Sequence, residues 1–205
     1  MNAPVSGSME TAREPREPYV PRRKNDPAAM RGRILDAAFE LFQAQGYNAS
    51  SVHQIAAKAG VTGGAFHHHF PTKKALGLAV ISERVAPAVE QAWLEPVRAA
   101  RSAQQGIVQV FEELAKELDA QGSVRGCPVN NLTLELAFAD PDYRAELRVI
   151  FDHWRDTIAT KLGGTDAVSR AMTVIACYSG AMAIAKVEQR GQPLRQCMKE
   201  LVRLL

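Results

Sequence analysis

Residues 51–70, Ser51-Val52-His53-Gln54-Ile55-Ala56-Ala57-Lys58-Ala59-Gly60-Val61-Thr62-Gly63-Gly64-Ala65-Phe66-His67-His68-His69-Phe70, decide the fold. Ser51 and Gln54 form a capping-box pair, able to close the exposed N–H groups of a helix that starts there. Val52, Ile55, Ala56 and Ala59 recur at helical spacing and make one apolar stripe. Gly60 ends that helix, since glycine tolerates the left-handed conformation common at helix ends. Thr62 can cap a second short helix, on which Ala65, Phe66 and Phe70 are the apolar contacts. Two short helices around a tight Gly-containing turn make a helix-turn-helix, whose second helix can enter a DNA major groove. An ordinary helical hairpin inside a bundle would carry the same pattern.

Outward from this stretch the chain reads as helices. Asp26 can cap a first helix with Pro27 at its tolerated first position; Ile34, Leu35, Ala38, Leu41 and Phe42 give it an apolar face, and Gly46 closes it. Thr72 caps a long helix over roughly 73–100, with interruptions expected at Pro87 and near Pro96. Further helical patterns fall at about 103–121, 128–139, 141–163, 166–190 and 193–204, and no run alternates as a strand would. The expected fold is all-α. A Pro-rich, disordered basic arm (1–25) precedes a three-helix DNA-binding domain (26–75), and an effector-binding and dimerisation domain (76–205) follows. The arm ends in Arg22-Arg23-Lys24, which could reach a neighbouring minor groove.

Charge distribution supports that division. Between residues 21 and 75, eight lysines and arginines face three acidic residues; from 76 onward fifteen face sixteen. A basic N-terminal third on a near-neutral remainder is the footprint of a nucleic-acid-binding module. No secretory signal opens the chain, and the apolar stretch Ala171–Ala185 is shorter than the roughly 20 residues that span a bilayer. Three cysteines without metal-like spacing suit a reducing compartment. The expectation is a cytoplasmic protein with no membrane contact and no cofactor.

The run Ala56-Ala57-Lys58-Ala59-Gly60-Val61-Thr62-Gly63-Gly64-Ala65-Phe66-His67-His68-His69-Phe70-Pro71-Thr72-Lys73-Lys74-Ala75-Leu76 resembles the DNA-binding core of the TetR family of bacterial transcriptional regulators. The resemblance is specific over about 28–85 and continues to the C-terminus as helix pattern and length. Gly63 stands where the family commonly has a cation, and His67 where it commonly has Tyr, which leaves the fold intact and the operator sequence open. Candidate DNA contacts are Arg31, Ser51, His53, Thr62, Gly63, Gly64, His67, His68, His69 and Lys73. Gly63 and Gly64 let backbone approach the groove, and Thr62 can donate to a phosphate or base. Arg31, near the first helix's N-terminal end, could meet phosphates. The resemblance favours His67 and His69 for DNA contact, Phe70 as anchor, and Lys73 as the phosphate-binding lysine. Consecutive helical residues point about 100° apart, so the three histidines cannot converge on one metal ion.

A second candidate site starts at Gly126-Cys127-Pro128. A thiol at a helix N-terminus feels the positive end of the macrodipole, which favours thiolate, and Arg125 could add to this. The Gly-Cys helix start, with Gly180-Ala181-Met182-Ala183-Ile184-Ala185-Lys186 later, is similar to a subgroup of the family in which some members answer electrophiles or oxidants through the corresponding cysteine. Inert packing is the other reading of Cys127, and Cys177 and Cys197 read as packing. A reversible ligand pocket is a second effector route, with Phe111, Asn131, Phe151, Trp154 and Tyr178 as lining candidates. The effector set is thus Cys127, Asn131, Trp154, Tyr178 and Lys186.

Residues 171–187 are apolar nearly all round, so this helix is expected to be buried. The resemblance implies a homodimer through about 166–204, its last two helices forming a four-helix bundle with their copies. It further implies a roughly palindromic double-stranded operator and a small-molecule or electrophile effector. The expected function is a transcriptional regulator, and more specifically a repressor released by its effector. Two rivals are a sequence-indifferent DNA-packaging protein and an enzyme with Cys127 as nucleophile and His153 as base.

Overall fold

Local caps set the N-terminal helices where the sequence puts them. Asp26 Oδ1 accepts the Ala28 and Ala29 N–H groups at 3.0 and 3.1 Å and opens α1, Pro27–Gln45. Ser51 Oγ accepts the Gln54 N–H while the Gln54 side chain accepts the Ser51 N–H, completing the capping box of α2, Val52–Ala59. Gly60 ends α2 at φ 65°, ψ 39°. Thr62 Oγ1 accepts the Ala65 N–H and starts α3, Gly63–His69. Ile34, Leu35, Ala38 and Phe42 of α1 meet Ile55, Phe66, Phe70 and Leu76 in a buried core. Burying a side chain such as Phe66 contributes about 1.5–3 kcal/mol, which holds α3 rigid against its neighbours. The computed structural model describes residues 26–205; the expected arm over 1–25 lies outside the described residues.

The next helix, α4, runs from 73 to 99 as one continuous rod whose α-helical pattern is interrupted just before Pro87 and Pro96, where interruptions were expected. Proline lacks an N–H and crowds the carbonyl four residues earlier. Here the turn before each proline widens instead. Ile81–Val85 and Glu90–Leu94 are π-type turns, in which the Ala86 N–H reaches Ile81 O and the Glu95 N–H reaches Glu90 O. The Glu83 carbonyl, four residues before Pro87 and so denied its usual α-helical donor, accepts Arg84 Nη1 at 2.8 Å.

Five more helices follow: α5 Ala103–Gln121, α6 Pro128–Leu136, α7 Pro141–Leu162, α8 Ala167–Glu188 and α9 Gln192–Leu201, the last ending in a short tight turn. Among the described residues there is no strand. The core of this part is an aromatic cluster in which Trp93 meets Phe111, Trp154 and Tyr178 at centroid distances of 5.6, 5.1 and 4.8 Å. At the start of α9 a Cβ on Gly191 would fall 2.2 Å from Ala115 O, so only glycine lets α9 approach α5 this closely.

Helix α8 departs from expectation in two ways. Its 22 residues make it long and apolar enough to cross a membrane by length and composition, so shortness is not what distinguishes it from a spanning helix. Its burial is also one-sided. Ala171, Val174, Tyr178 and Ala185 pack inward, while Met172, Ile184 and Val187 are 52%, 48% and 85% exposed. A single chain therefore leaves one apolar face of α8 uncovered.

Candidate nucleic-acid interface and effector cavity

The reading head presents a surface built by α2, the turn and α3. Ser51, His53, Thr62, Gly63, Gly64, His67 and His68 are all exposed, and His69 is half-buried. His67 lies edge-on to Phe66, and the His68 and His69 rings meet at a steep angle with centroids 5.3 Å apart. Among the described residues no cluster could hold a metal ion. A Cβ built on Gly63 or on Gly64 meets nothing within 4 Å, and both glycines have ordinary helical φ. Neither the protein's own packing nor its backbone requires a residue without a side chain there.

Two basic candidates are differently placed. Lys73 begins α4; its ammonium sits 4.3 Å from the Tyr47 ring centroid and donates to Asn48 O at 3.4 Å. Partial burial holds its pKa below the usual lysine value. Arg31, read from sequence as a phosphate contact, is engaged inside the protein. Its guanidinium makes a bidentate pair with Glu83 at 2.5 and 2.6 Å and lies 5.0 Å from the Phe70 ring centroid. A fork whose donors match a carboxylate this way ties α1 to α4.

Below the head, α6 and α7 hold it from behind. Glu135 on α6 accepts the Tyr47 N–H at 2.8 Å and the Asn48 N–H at 2.6 Å, which fixes the turn between α1 and α2. The Tyr143 hydroxyl donates to the Tyr47 hydroxyl at 2.7 Å, and burial raises the Tyr143 pKa far above the usual tyrosine range. Lys74 pairs with Asp140 and Asp142, both at 2.7 Å. None of these three contacts was anticipated, because each joins residues more than 60 apart in sequence.

The effector candidates divide into two groups. Cys127, Asn131 and Lys186 line one cavity of about 530 Å³ between α6 and α8. Trp154 and Tyr178 are fully or almost fully buried members of the aromatic core and do not line it. Lys186 Nζ donates to Asn131 Oδ1 at 3.3 Å, and Asn131 Nδ2 donates to Arg125 O and to Gln43 Oε1 of α1.

Burial works against a thiolate at Cys127. Cys127 does occupy the N-cap of α6, but it is buried, and burial pushes the thiol pKa up. The Asn130 and Val129 N–H groups and the Tyr178 hydroxyl pull the other way and do not offset it. Desolvation outweighs the helix end. His153, the base of the enzyme reading, faces Glu90 at the surface at 3.3 Å, while the side-chain partner of Cys127 is Tyr178.

Residues 34–80 match the profile of the bacterial regulatory proteins of the tetR family, and residues 103–200 match that of the LmrA/YxaF-like transcriptional regulator C-terminal domain. The HTH-type transcriptional repressor DhaR of Mycobacterium sp. (strain GP1) is 27% identical over 184 residues, covering 82% of this chain and 87% of that protein. The HTH-type regulator YxaF of Bacillus subtilis (strain 168) is 31% identical over 140 residues, covering 64% and 69%. The chain is similar in fold to the regulatory protein TetR from Rhodobacter sphaeroides, with TM-score 0.75, 24% identity and coverage of 84% and 96%. It is likewise similar to E. coli NemR in its reduced form, with TM-score 0.73, 16% identity and coverage of 84% and 95%. These relatives are transcriptional regulators, not enzymes.

Proposed function

Because the chain belongs to the TetR family of bacterial transcriptional regulators, we propose that it acts as a homodimeric, sequence-specific repressor released from its operator by a small molecule. The observation that carries this reading is the placement of α6. Its first half lines the cavity, and its Glu135 carboxylate holds the turn directly before the helix-turn-helix. A ligand that displaces α6 therefore acts on the orientation of the reading head. Release requires the ligand to prefer the released state, since equal affinity for both states shifts nothing.

Residues 26–75 form the head in this reading and 76–205 the effector and dimerisation part. Ser51, His53, Thr62, His67, His68 and His69 supply contacts to bases and phosphates, Gly63 and Gly64 admit the duplex closely, and Lys73 neutralises a phosphate. The uncovered face of α8 pairs with its copy. Val168 and Met172 stand at one end and Ile184 at the other, with the small Ala176 and Gly180 between. A Cβ on Gly180 meets nothing within 4 Å of its own chain, so the missing side chain suits a second helix crossing there. Such a face is self-complementary, as a two-fold interface requires, and two heads then meet a roughly palindromic operator. The relative DhaR is named a repressor, which supports repression over activation.

The test is fluorescence anisotropy on duplex DNA from upstream of the protein's own gene, with competitor DNA in excess. Tight binding that survives competitor is expected. Equal affinity for any duplex would instead establish the sequence-indifferent binder. Cys127 lies in the cavity wall, so a thiol-reactive electrophile belongs in the same experiment. Release that disappears in Cys127→Ser would identify thiol modification as the trigger.

A further inference from the structure

The polar groups of the α6/α8 cavity are unbalanced. Lys186 brings an ammonium whose one protein acceptor is Asn131 Oδ1, and among the described residues no carboxylate pairs with it. Asn130 Oδ1 already accepts the Ser179 hydroxyl at 3.3 Å, which leaves the Asn130 amide with its two N–H donors. Thr133 Oγ1 is buried in the cavity wall without a partner. Both asparagine carbonyls are already taken, while the Asn130 N–H groups and the exposed Lys186 ammonium have donors to spare and a positive charge that no described carboxylate balances. The rest of the wall is apolar: Leu134, Met182, Ala183 and Val187 beside the Cys127 thiol.

We propose that this cavity takes a small amphipathic carboxylate, with its anionic head on Lys186 and its hydrocarbon chain along Met182, Leu134 and Val187. A carboxylate supplies both things the wall lacks, acceptor oxygens and negative charge, and forms charge-assisted hydrogen bonds with an ammonium. The cavity's 530 Å³ lies within the range of small-molecule sites. A cationic ligand would meet Lys186 as a like charge. A neutral alcohol of equal length would fill the apolar part and leave the ammonium uncompensated. The head group also competes with Asn131 for Lys186, and Asn131 is the residue that reaches Gln43 of α1. This assignment rests on the reading of the cavity as the effector site.

The experiment titrates the full chain with octanoate, 1-octanol and octylamine by calorimetry at low salt, alongside the variants Lys186→Met and Lys186→Arg. Octanoate is expected to bind best. Lys186→Met should weaken it by about tenfold, the loss of one charge-assisted bond; Lys186→Arg should retain it, and octanol should be indifferent to both. Unchanged circular dichroism and an unchanged cooperative melting transition would establish that the variants fold. Octanol binding as tightly as octanoate, octylamine binding more tightly, or no effect of Lys186→Met would overturn the proposal. Operator binding is measured separately on the same samples. A chain that binds operator and ignores octanoate overturns only the ligand class. Octanoate bound through Lys186 without release of operator upholds the carboxylate site and overturns the effector reading.

Discussion

Glu135 and Tyr47, 88 residues apart in sequence, meet through one short hydrogen bond from the Tyr47 N–H to the Glu135 carboxylate, which takes the Asn48 N–H with its other oxygen. Lys73 holds the same turn from its other side, over the Tyr47 ring and on Asn48 O. The turn before α2 is thus held by a residue of α6 and by the first residue of α4.

Replacing Glu135 should separate ligand response from DNA binding. Glu135→Ala loses a part-buried charge-assisted bond to the Tyr47 N–H, at about 1.5–3 kcal/mol before relaxation, and an exposed one to the Asn48 N–H that contributes less. Chemical denaturation should show a drop of that order. Anisotropy should show operator still bound and ligand-driven release much weakened. Unaltered release would remove α6 from the mechanism.

Gly63→Ala and Gly64→Ala should leave the fold as stable as before, or more so by up to about 1 kcal/mol, because alanine favours helix and nothing lies near the added methyl. Operator affinity should nevertheless fall about tenfold if the duplex comes close there. Melting curves and anisotropy on the same samples decide the matter, and full affinity in both variants would place the DNA elsewhere.

For Lys73→Ala the informative quantity is the dependence of affinity on salt. Losing one phosphate contact lowers the slope of log affinity against log salt by about one, equally for all sequences. The lost contact with the Tyr47 ring adds about 0.5–1 kcal/mol of destabilisation. An unchanged slope would leave Lys73 as a purely structural residue.

Buried thiols predict an alkaline limit to stability. Cys177, half-buried beside Cys197, has its pKa pushed up to about 11, and Cys127 is raised as well. The folded state favours the protonated thiols, so their contribution is complete below the ordinary thiol pKa and is lost as pH rises towards 11. Unfolding free energy should decline over that interval, and less steeply in Cys177→Ala. Cys127 should react with a neutral disulfide reagent more slowly than free cysteine at neutral pH, gaining rate as pH rises. Fast reaction at pH 7 would contradict the burial argument.

Ile184→Asp on the open face of α8 should convert the dimer to a monomer in sedimentation, with helical content retained, because the substitution touches no inward-facing partner. A monomeric parent protein would refute the α8 interface outright.

The reading head was legible in sequence because its signals are local. Asp26, Ser51, Thr62 and Thr72 each cap the helix that begins beside them, and Gly60 ends one. The cavity between α6 and α8 was only half legible. Cys127, Asn131 and Lys186 come together there, but Trp154 and Tyr178 belong to the core, a distinction that depends on which side of α7 and α8 faces inward. The burial of Cys127 was illegible for a related reason. A helix end can be read from neighbours in sequence, whereas desolvation is imposed by the aromatic core and α8, which lie elsewhere in the chain. The pairing of Arg31 with Glu83 was not legible because the two lie 52 residues apart.

The two wide turns in α4 work as built-in phase shifts. Each holds one residue more than an α-helical turn needs, and one residue corresponds to about 100° of rotation. The turn at Ile81–Val85 therefore decides which way everything after it faces, Trp93 included. Deleting a single residue there would give a straighter helix and swing Trp93 away from Phe111, Trp154 and Tyr178. What looks like a local irregularity forced by Pro87 is a register mark, keeping the face of α4 that carries the head aligned with the face that carries the core.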